Sequence, residues 1–197
     1  MTTAFLDKDG TLVEDVPYNV DPARIELVAA APRALRLLGD AGCRIVVVTN
    51  QSGVARGLFP ESALEAVRER LSLLLALHGA RLDGFYYCPH LPHAPVARYA
   101  RVCPCRKPAD GMLRAAASDL SIDLADAWLI GDILDDIEAG RRAGCRTVLV
   151  DAGHETEWHL SPRRVPEFTV SDLEQAAETV LSGARRAPAA PPRGPAR

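Results

Sequence analysis

Apolar residues along this chain come in short unbroken runs separated by longer stretches of helical spacing. The runs are Ala4-Phe5-Leu6, residues 43–48, Phe85-Tyr86-Tyr87, residues 127–130 and residues 146–150. Runs of this length, rich in β-branched or aromatic residues, predict buried strands. Between them, residues 30–41 place Leu35, Leu37 and Leu38 at helical spacing and end near Gly42. Residues 60–77 predict a long helix with Pro60 in its first turn, residues 109–120 another, and residues 133–143 a third closed by Gly144. Residues 171–181 predict a last helix with Ser171 as its N-cap. Strands alternating with helices predict βαβ units. The expected fold is therefore α/β, a Rossmann-like, mostly parallel sheet covered by helices on both faces.

In such sheets binding sites lie beyond the carboxyl ends of the strands. The polar residues gather there: Asp7 and Asp9, Thr49 and Asn50, Cys88, and Asp132. Residues 89–101, rich in Pro and His, read as a loop. From Gly183 onward Ala, Pro and Arg dominate, a composition that cannot pack and predicts a disordered tail over 183–197. One domain over 1–182 is expected, with residues 88–105 as an inserted loop.

Composition narrows the function classes. The chain has 197 residues, 48% of them hydrophobic, and a net charge of −3 from 23 Lys and Arg against 26 Asp and Glu. That balance gives no ground for a nucleic-acid or anionic-membrane partner and leaves a small anionic substrate open. No apolar run approaches the ~18 residues of a membrane helix. Asp7-Lys8-Asp9 arrives too early for a signal peptide, so a cytoplasmic location is expected. No extra apolar stripe is visible, and a monomer is expected. Five cysteines, an odd number without a leader, argue against a disulfide framework.

Phe5-Leu6-Asp7-Lys8-Asp9-Gly10-Thr11-Leu12 is the most informative stretch. A strand delivers two carboxylates, two residues apart, to a turn. Asp7 can attack phosphorus without prior activation. Asp9 can protonate the leaving oxygen and then accept a proton from water. Two anions beside a phosphate dianion require a divalent cation, and hard oxygen ligands favour magnesium. Taken alone, the pair also reads as an Asp-rich turn closing a strand.

This stretch resembles the first motif of the haloacid dehalogenase superfamily of phosphatases. The resemblance implies Asp7 as nucleophile and Asp9 as acid/base, with Asp9 also offering its backbone carbonyl to magnesium. Further motifs follow in order. Val48-Thr49-Asn50-Gln51-Ser52-Gly53 resembles the second, which implies that Thr49 holds phosphate oxygens. Cys105-Arg106-Lys107-Pro108 resembles the third, with Lys107 neutralising the transferring phosphoryl group. There the planar fork of Arg106 suits a second anionic group. Gly131-Asp132-Ile133-Leu134-Asp135-Asp136 resembles the fourth, with Asp132 as a magnesium ligand. Asp136, one helical turn on, can face the same side in a supporting role.

Cys88-Pro89-His90 and Cys103-Pro104-Cys105 supply three thiols and one imidazole, a set suited to tetrahedral zinc. With four protein ligands and no open position, such a site is structural. The alternative is free thiols beside a surface histidine. Cys43 and Cys145 flank strands and read as core, and His78, His154 and His159 carry no motif.

The zinc loop in a short chain with no room for a cap domain narrows the resemblance. It points to the capless branch that contains heptose bisphosphate and histidinol-phosphate phosphatases. A phosphorylated sugar is the substrate this implies, for synthesis of nucleotide-activated heptose, with Asp15, Tyr18, Asn50, Gln51 and Ser52 in the substrate loops. Histidinol phosphate is the alternative, and a non-catalytic zinc-stabilised module is a third reading. The branch pattern departs at Ile133, where some members carry a basic residue.

Overall fold

The computed structural model describes residues 1–156 and 158–183. Each of the five apolar runs forms a strand, and five helices occupy the stretches of helical spacing. In chain order the elements are β1 (Thr3–Leu6), α1 (Ala31–Asp40), β2 (Arg44–Asn50), α2 (Ala63–Leu77), β3 (Leu82–Cys88), α3 (Gly111–Leu120), β4 (Ala127–Gly131), α4 (Leu134–Ala143), β5 (Arg146–Val150), β6 (Phe168–Val170) and α5 (Leu173–Gly183).

The six strands form one sheet in the order β3-β2-β1-β4-β5-β6, with every neighbouring pair parallel. Side chains alternate across it. Ala4, Leu6, Ile45, Val47, Ile130 and Val148 pack on one face against α1, α2 and α5. Phe5, Val46, Val48 and Leu129 pack on the other against α3 and α4. Both faces are therefore dry, which is why the strands read as unbroken apolar runs. The chain winds outward through β2 and β3 on one side of β1, and through β4, β5 and β6 on the other. The switch point lies between β1 and β4, where a parallel sheet opens a crevice at its carboxyl edge.

Several expectations are corrected. α2 begins at Ala63 rather than Pro60, because Pro60 and Glu61 accept from Ala63 and Leu64 in three-residue turns first. Asp172, not Ser171, caps α5: its carboxylate accepts from the Gln175 amide at 2.9 Å. β3 runs longer than Phe85–Tyr87. β6 was not anticipated, since three half-exposed residues on a sheet edge carry no clear pattern. Gly183 closes α5 rather than opening a tail, and the expected tail over 184–197 lies outside the described residues. Cys145 is core, whereas Cys43 is only half-buried. Among the described residues no helix is long and apolar enough to cross a membrane.

Candidate active site

β1 ends at Leu6 and hands Asp7 directly to the switch point, where the Asp7 amide donates to Ile130 of β4 at 2.9 Å. Asp7, Asp132 and Asp136 converge there, with one carboxylate oxygen from each within 4.8 Å of the others. All three are buried. Lys107 reaches into the group from the loop before α3. Its Nζ lies 2.5 Å from Asp7 Oδ1 and 2.5 Å from Asp136 Oδ1, and donates to the Val48 carbonyl at 3.0 Å. Burial works against the ammonium, but Asp136 and Asp7 outweigh it and raise the Lys107 pKa, so the cation is firmly held. Burial likewise pushes Asp136 up, and Lys107 opposes that push.

Asn50 sets the height of Lys107. Its amide nitrogen donates to the Lys107 carbonyl at 3.1 Å and its oxygen accepts from the Lys107 amide at 3.0 Å. Asn50, expected among the substrate-loop residues, spends both ends of its side chain on this backbone clamp and also lines the cavity described below. Thr49 is buried, and its hydroxyl accepts from Gln51 Nε2 at 2.9 Å.

Asp132 is gripped on both oxygens. Thr11 donates to Oδ1 at 3.0 Å, and His154 Nδ1 meets Oδ2 at 2.8 Å. Burial and then the Asp7 charge raise its pKa from 3.8 to about 6, against the Thr11 and His154 contacts. The approach requires Gly10: at φ +80° a Cβ there would stand 2.2 Å from Asp132 Oδ2 and 2.6 Å from His154 Nδ1. Gly131 is equally constrained, since a Cβ would lie 2.3 Å from Asp136. Next to His154, Glu155 accepts from the Leu134 amide at 2.7 Å, capping the start of α4.

Asp9 faces the opening. A cavity of about 250 Å³ is lined by Asp9, Asp15, Pro17, Tyr18, Asn19, Asn50, Gln51, Ser52 and Gly53. Asp15, Tyr18, Gln51 and Ser52, expected in the substrate loops, thus share one cavity. Gln51 Nε2 also donates to Asp9 Oδ2 at 3.1 Å, and Lys8 pairs with Asp9 Oδ1. Burial raises the Asp9 pKa, Lys8 counters it, and Asp7 adds to the rise. Arg106 does not line the cavity; its guanidinium points to the His90 carbonyl at 3.4 Å.

Cys88, His90, Cys103 and Cys105 close into one cluster beside Lys107. The sulfurs lie 3.5 Å (Cys88–Cys103), 3.1 Å (Cys88–Cys105) and 3.2 Å (Cys103–Cys105) apart, and His90 Nδ1 is 3.7 Å from Cys88 and 3.3 Å from Cys105. These are free thiols at close to the roughly 3.7 Å edges of a tetrahedron with Zn–S bonds of ~2.3 Å. Burial, then Arg101, lowers the His90 pKa and favours a neutral ring. Arg101 faces Nε2 at 2.6 Å as a donor, so Nδ1 bears the ring proton in this arrangement. A metal held by Nδ1 would require that proton to sit on Nε2 instead, where Arg101 stands in this arrangement.

The arrangement can deliver an oxygen nucleophile, a second carboxylate at the cavity wall, a fixed ammonium and a carboxylate set for a hard cation. Sequence reasoning missed Lys8, Thr11, His154 and Glu155 as contributors. Lys8 and Thr11 lie inside the first motif. His154 follows a strand end as the recognised motifs do, which was the available signal.

Residues 104–176 match a model of the HAD-hydrolase-like family. The chain is 38% identical over 187 residues to the D-glycero-beta-D-manno-heptose-1,7-bisphosphate 7-phosphatase of Salmonella typhi, covering 94% of this chain and 93% of the relative. It is 37% identical over 186 residues to the D-glycero-D-manno-heptose-1,7-bisphosphate 7-phosphatase of Chlorobaculum tepidum, covering 91% and 94%. The crystal structure of D,D-heptose 1,7-bisphosphate phosphatase from B. bronchiseptica, complexed with magnesium and phosphate, superposes with a TM-score of 0.75. It is 32% identical, over 93% of this chain and 99% of that one.

Proposed function

This chain belongs to the haloacid dehalogenase-like phosphatases, and from that membership we propose that it hydrolyses the 7-phosphate of D-glycero-D-manno-heptose 1,7-bisphosphate through a phospho-aspartate on Asp7. The observation that carries the reading is the convergence of Asp7, Asp132 and Asp136 around Lys107 at the switch point, with Asp9 at the wall of an open cavity.

Asp7 attacks phosphorus, forming an O–P bond as the bond to the sugar oxygen breaks. Asp9 gives that oxygen its proton. Water then attacks the phospho-aspartate, Asp9 takes its proton back, and phosphate leaves with Asp7 regenerated. Lys107 orients Asp7 and offsets charge on the transferring group throughout. Asn50 holds Lys107 at this height, and Thr11 and His154 hold Asp132. Asp15, Tyr18, Gln51 and Ser52 contact the sugar, and Thr49 acts through Gln51. Arg106 serves the uncleaved phosphate after turning from the His90 carbonyl.

The donor set fits magnesium: three buried carboxylates, two of them paired with the Lys107 ammonium, converge and offer hard oxygen ligands. Asp7, Asp132 and the Asp9 backbone carbonyl would hold the ion, with Asp136 in support through Lys107, and the ion would supply charge neutralisation on the phosphoryl oxygens. Three thiols and one imidazole fit zinc, which would pin the 88–105 loop.

Phosphate release with Mg²⁺ tests the substrate. The heptose bisphosphate is expected to be turned over at least about 100-fold more efficiently than histidinol phosphate, since a site built for one polar partner rejects its absence strongly. Equal or reversed preference would overturn the sugar assignment while leaving the phosphatase chemistry intact. An inactive Asp7→Asn variant with the parent's fold is the required control.

A further inference from the structure

Lys8 stands between the two aspartates and has no part in the steps above. Its side chain is 2% exposed, too deep to meet a substrate in the cavity. A buried ammonium without a counter-charge is costly, and the counter-charge here is Asp9 Oδ1. The other Asp9 oxygen accepts from Gln51, whose amide is itself tied to the Thr49 hydroxyl. Asp9 is thus held at both oxygens although its side chain is 31% exposed toward the opening.

Composition adds a second, independent observation. Of the 23 Lys and Arg residues only Lys8 and Lys107 are lysines. Both are buried in this site, and each pairs with one of the two strand-end aspartates. Every other cationic position is arginine. The compact ammonium is kept where a charge must fit a closed space.

We propose that Lys8 is a positioning residue for the acid–base step: with Gln51 it holds the Asp9 carboxyl in the orientation that meets the leaving-group oxygen. The inference rests on the reading of Asp9 as acid and base. A partly exposed aspartate samples several rotamers, and a general acid works only within hydrogen-bond reach of the oxygen it protonates. A buried, immobile cation removes that freedom. The proton passes from Asp9 to the leaving oxygen, and Lys8 keeps its own. Lys107 does the corresponding work for Asp7, so each aspartate has its own lysine.

The test compares two esters in rapid-quench measurements of phospho-enzyme formation with Mg²⁺. The heptose bisphosphate loses an alkoxide that needs a proton, whereas p-nitrophenyl phosphate loses an anion that needs none. Lys8→Met is expected to slow transfer from the sugar ester by about 10- to 100-fold, a part of what acid–base catalysis contributes. KM should stay within about twofold, because Lys8 touches no substrate. Transfer from p-nitrophenyl phosphate should stay within about threefold, because its leaving group needs no acid. Lys8→Arg, which keeps a cation, should recover most of the sugar-ester rate. Equal slowing of both esters, an unslowed sugar ester, or a Lys8→Arg enzyme as slow as Lys8→Met would each overturn the proposal. Asp9→Asn separates the two levels of inference. If it slows both esters alike, the acid assignment of Asp9 fails. If it discriminates and Lys8→Met does not, only the role of Lys8 fails. Should Lys8→Met not fold, Lys8→Gln, which keeps a donor and drops the charge, serves the same comparison.

Discussion

Asp132 holds a proton to higher pH than an ordinary carboxylate, because burial and the neighbouring Asp7 charge raise its pKa from 3.8 to about 6. The folded-state value lies above the unfolded one. In metal-free protein its contribution to stability is therefore complete below about pH 4 and is lost as the pH rises through about 6. A cation on the ionised carboxylate reverses this trend, since metal and proton compete for the same oxygens. Added Mg²⁺ should accordingly raise the thermal unfolding midpoint more at pH 7.5 than at pH 5. A shift of the same size at both pH values would exclude Asp132 as the group that binds it. At this scale the sequence was informative about identity and silent about partners. Asp7, Asp9, Lys107 and Asp132 stand out by motif. That Asn50 clamps the Lys107 backbone, or that His154 reaches Asp132, depends on side chains meeting across 57 and 22 residues of chain.

The loop between β3 and α3 shows how an element without periodicity acquires a shape. It folds back so that its two ends, Cys88 with His90 and Cys103 with Cys105, meet in one cluster. Glu61 ties it down elsewhere, accepting from Tyr99 at 2.5 Å and from Tyr87 of β3 at 3.1 Å. Lys107 follows two residues after Cys105, so the cluster sets where the ammonium enters the site. Cys103→Ser is expected to abolish bound zinc and lower the unfolding midpoint by about 10 °C, the shift that about 3 kcal/mol gives in a chain of this size. The chemistry should suffer less than the stability does. Elemental analysis of the parent protein is the check, and zinc near zero per chain would remove the assignment. The paired ligand spacing made this cluster legible. The Glu61 tether was not, because an Asp or Glu before a helix reads first as a favourable charge at its start.

Across the whole molecule, stability and chemistry occupy opposite ends of the sheet. Trp128, near the start of β4, is buried against Phe168 with the Arg146 guanidinium 3.8 Å above its ring. The strand then runs through Leu129 and Ile130 before reaching Gly131 and Asp132 at the catalytic edge. Trp128→Ala should cost about 3–5 kcal/mol, the range for removing a large buried aromatic. Turnover per folded molecule at low temperature should be unchanged. A large drop in kcat without loss of stability would contradict this separation of core from site. The last strand, β6, pairs with β5 and sets Phe168 beside Trp128, and its three residues carry too little pattern to be read in advance.

Taken by itself, the sequence determined whatever depends on near neighbours. Unbroken apolar runs specify strands dry on both faces, helical spacing specifies their covers, and polar residues at strand ends specify the catalytic edge. Paired thiols mark the loop whose two ends meet in one Cys and His cluster. Tertiary structure alone decided the strand order, and with it that β1 and β4 lie side by side and bring Asp7 to Asp132 and Asp136. It also decided that both lysines turn inward onto the aspartates and that Arg106 faces the His90 carbonyl. The physical reason is that periodicity reports burial, which is a local property. Which buried charge meets which partner is settled by crossover and register, and these link residues far apart in the chain.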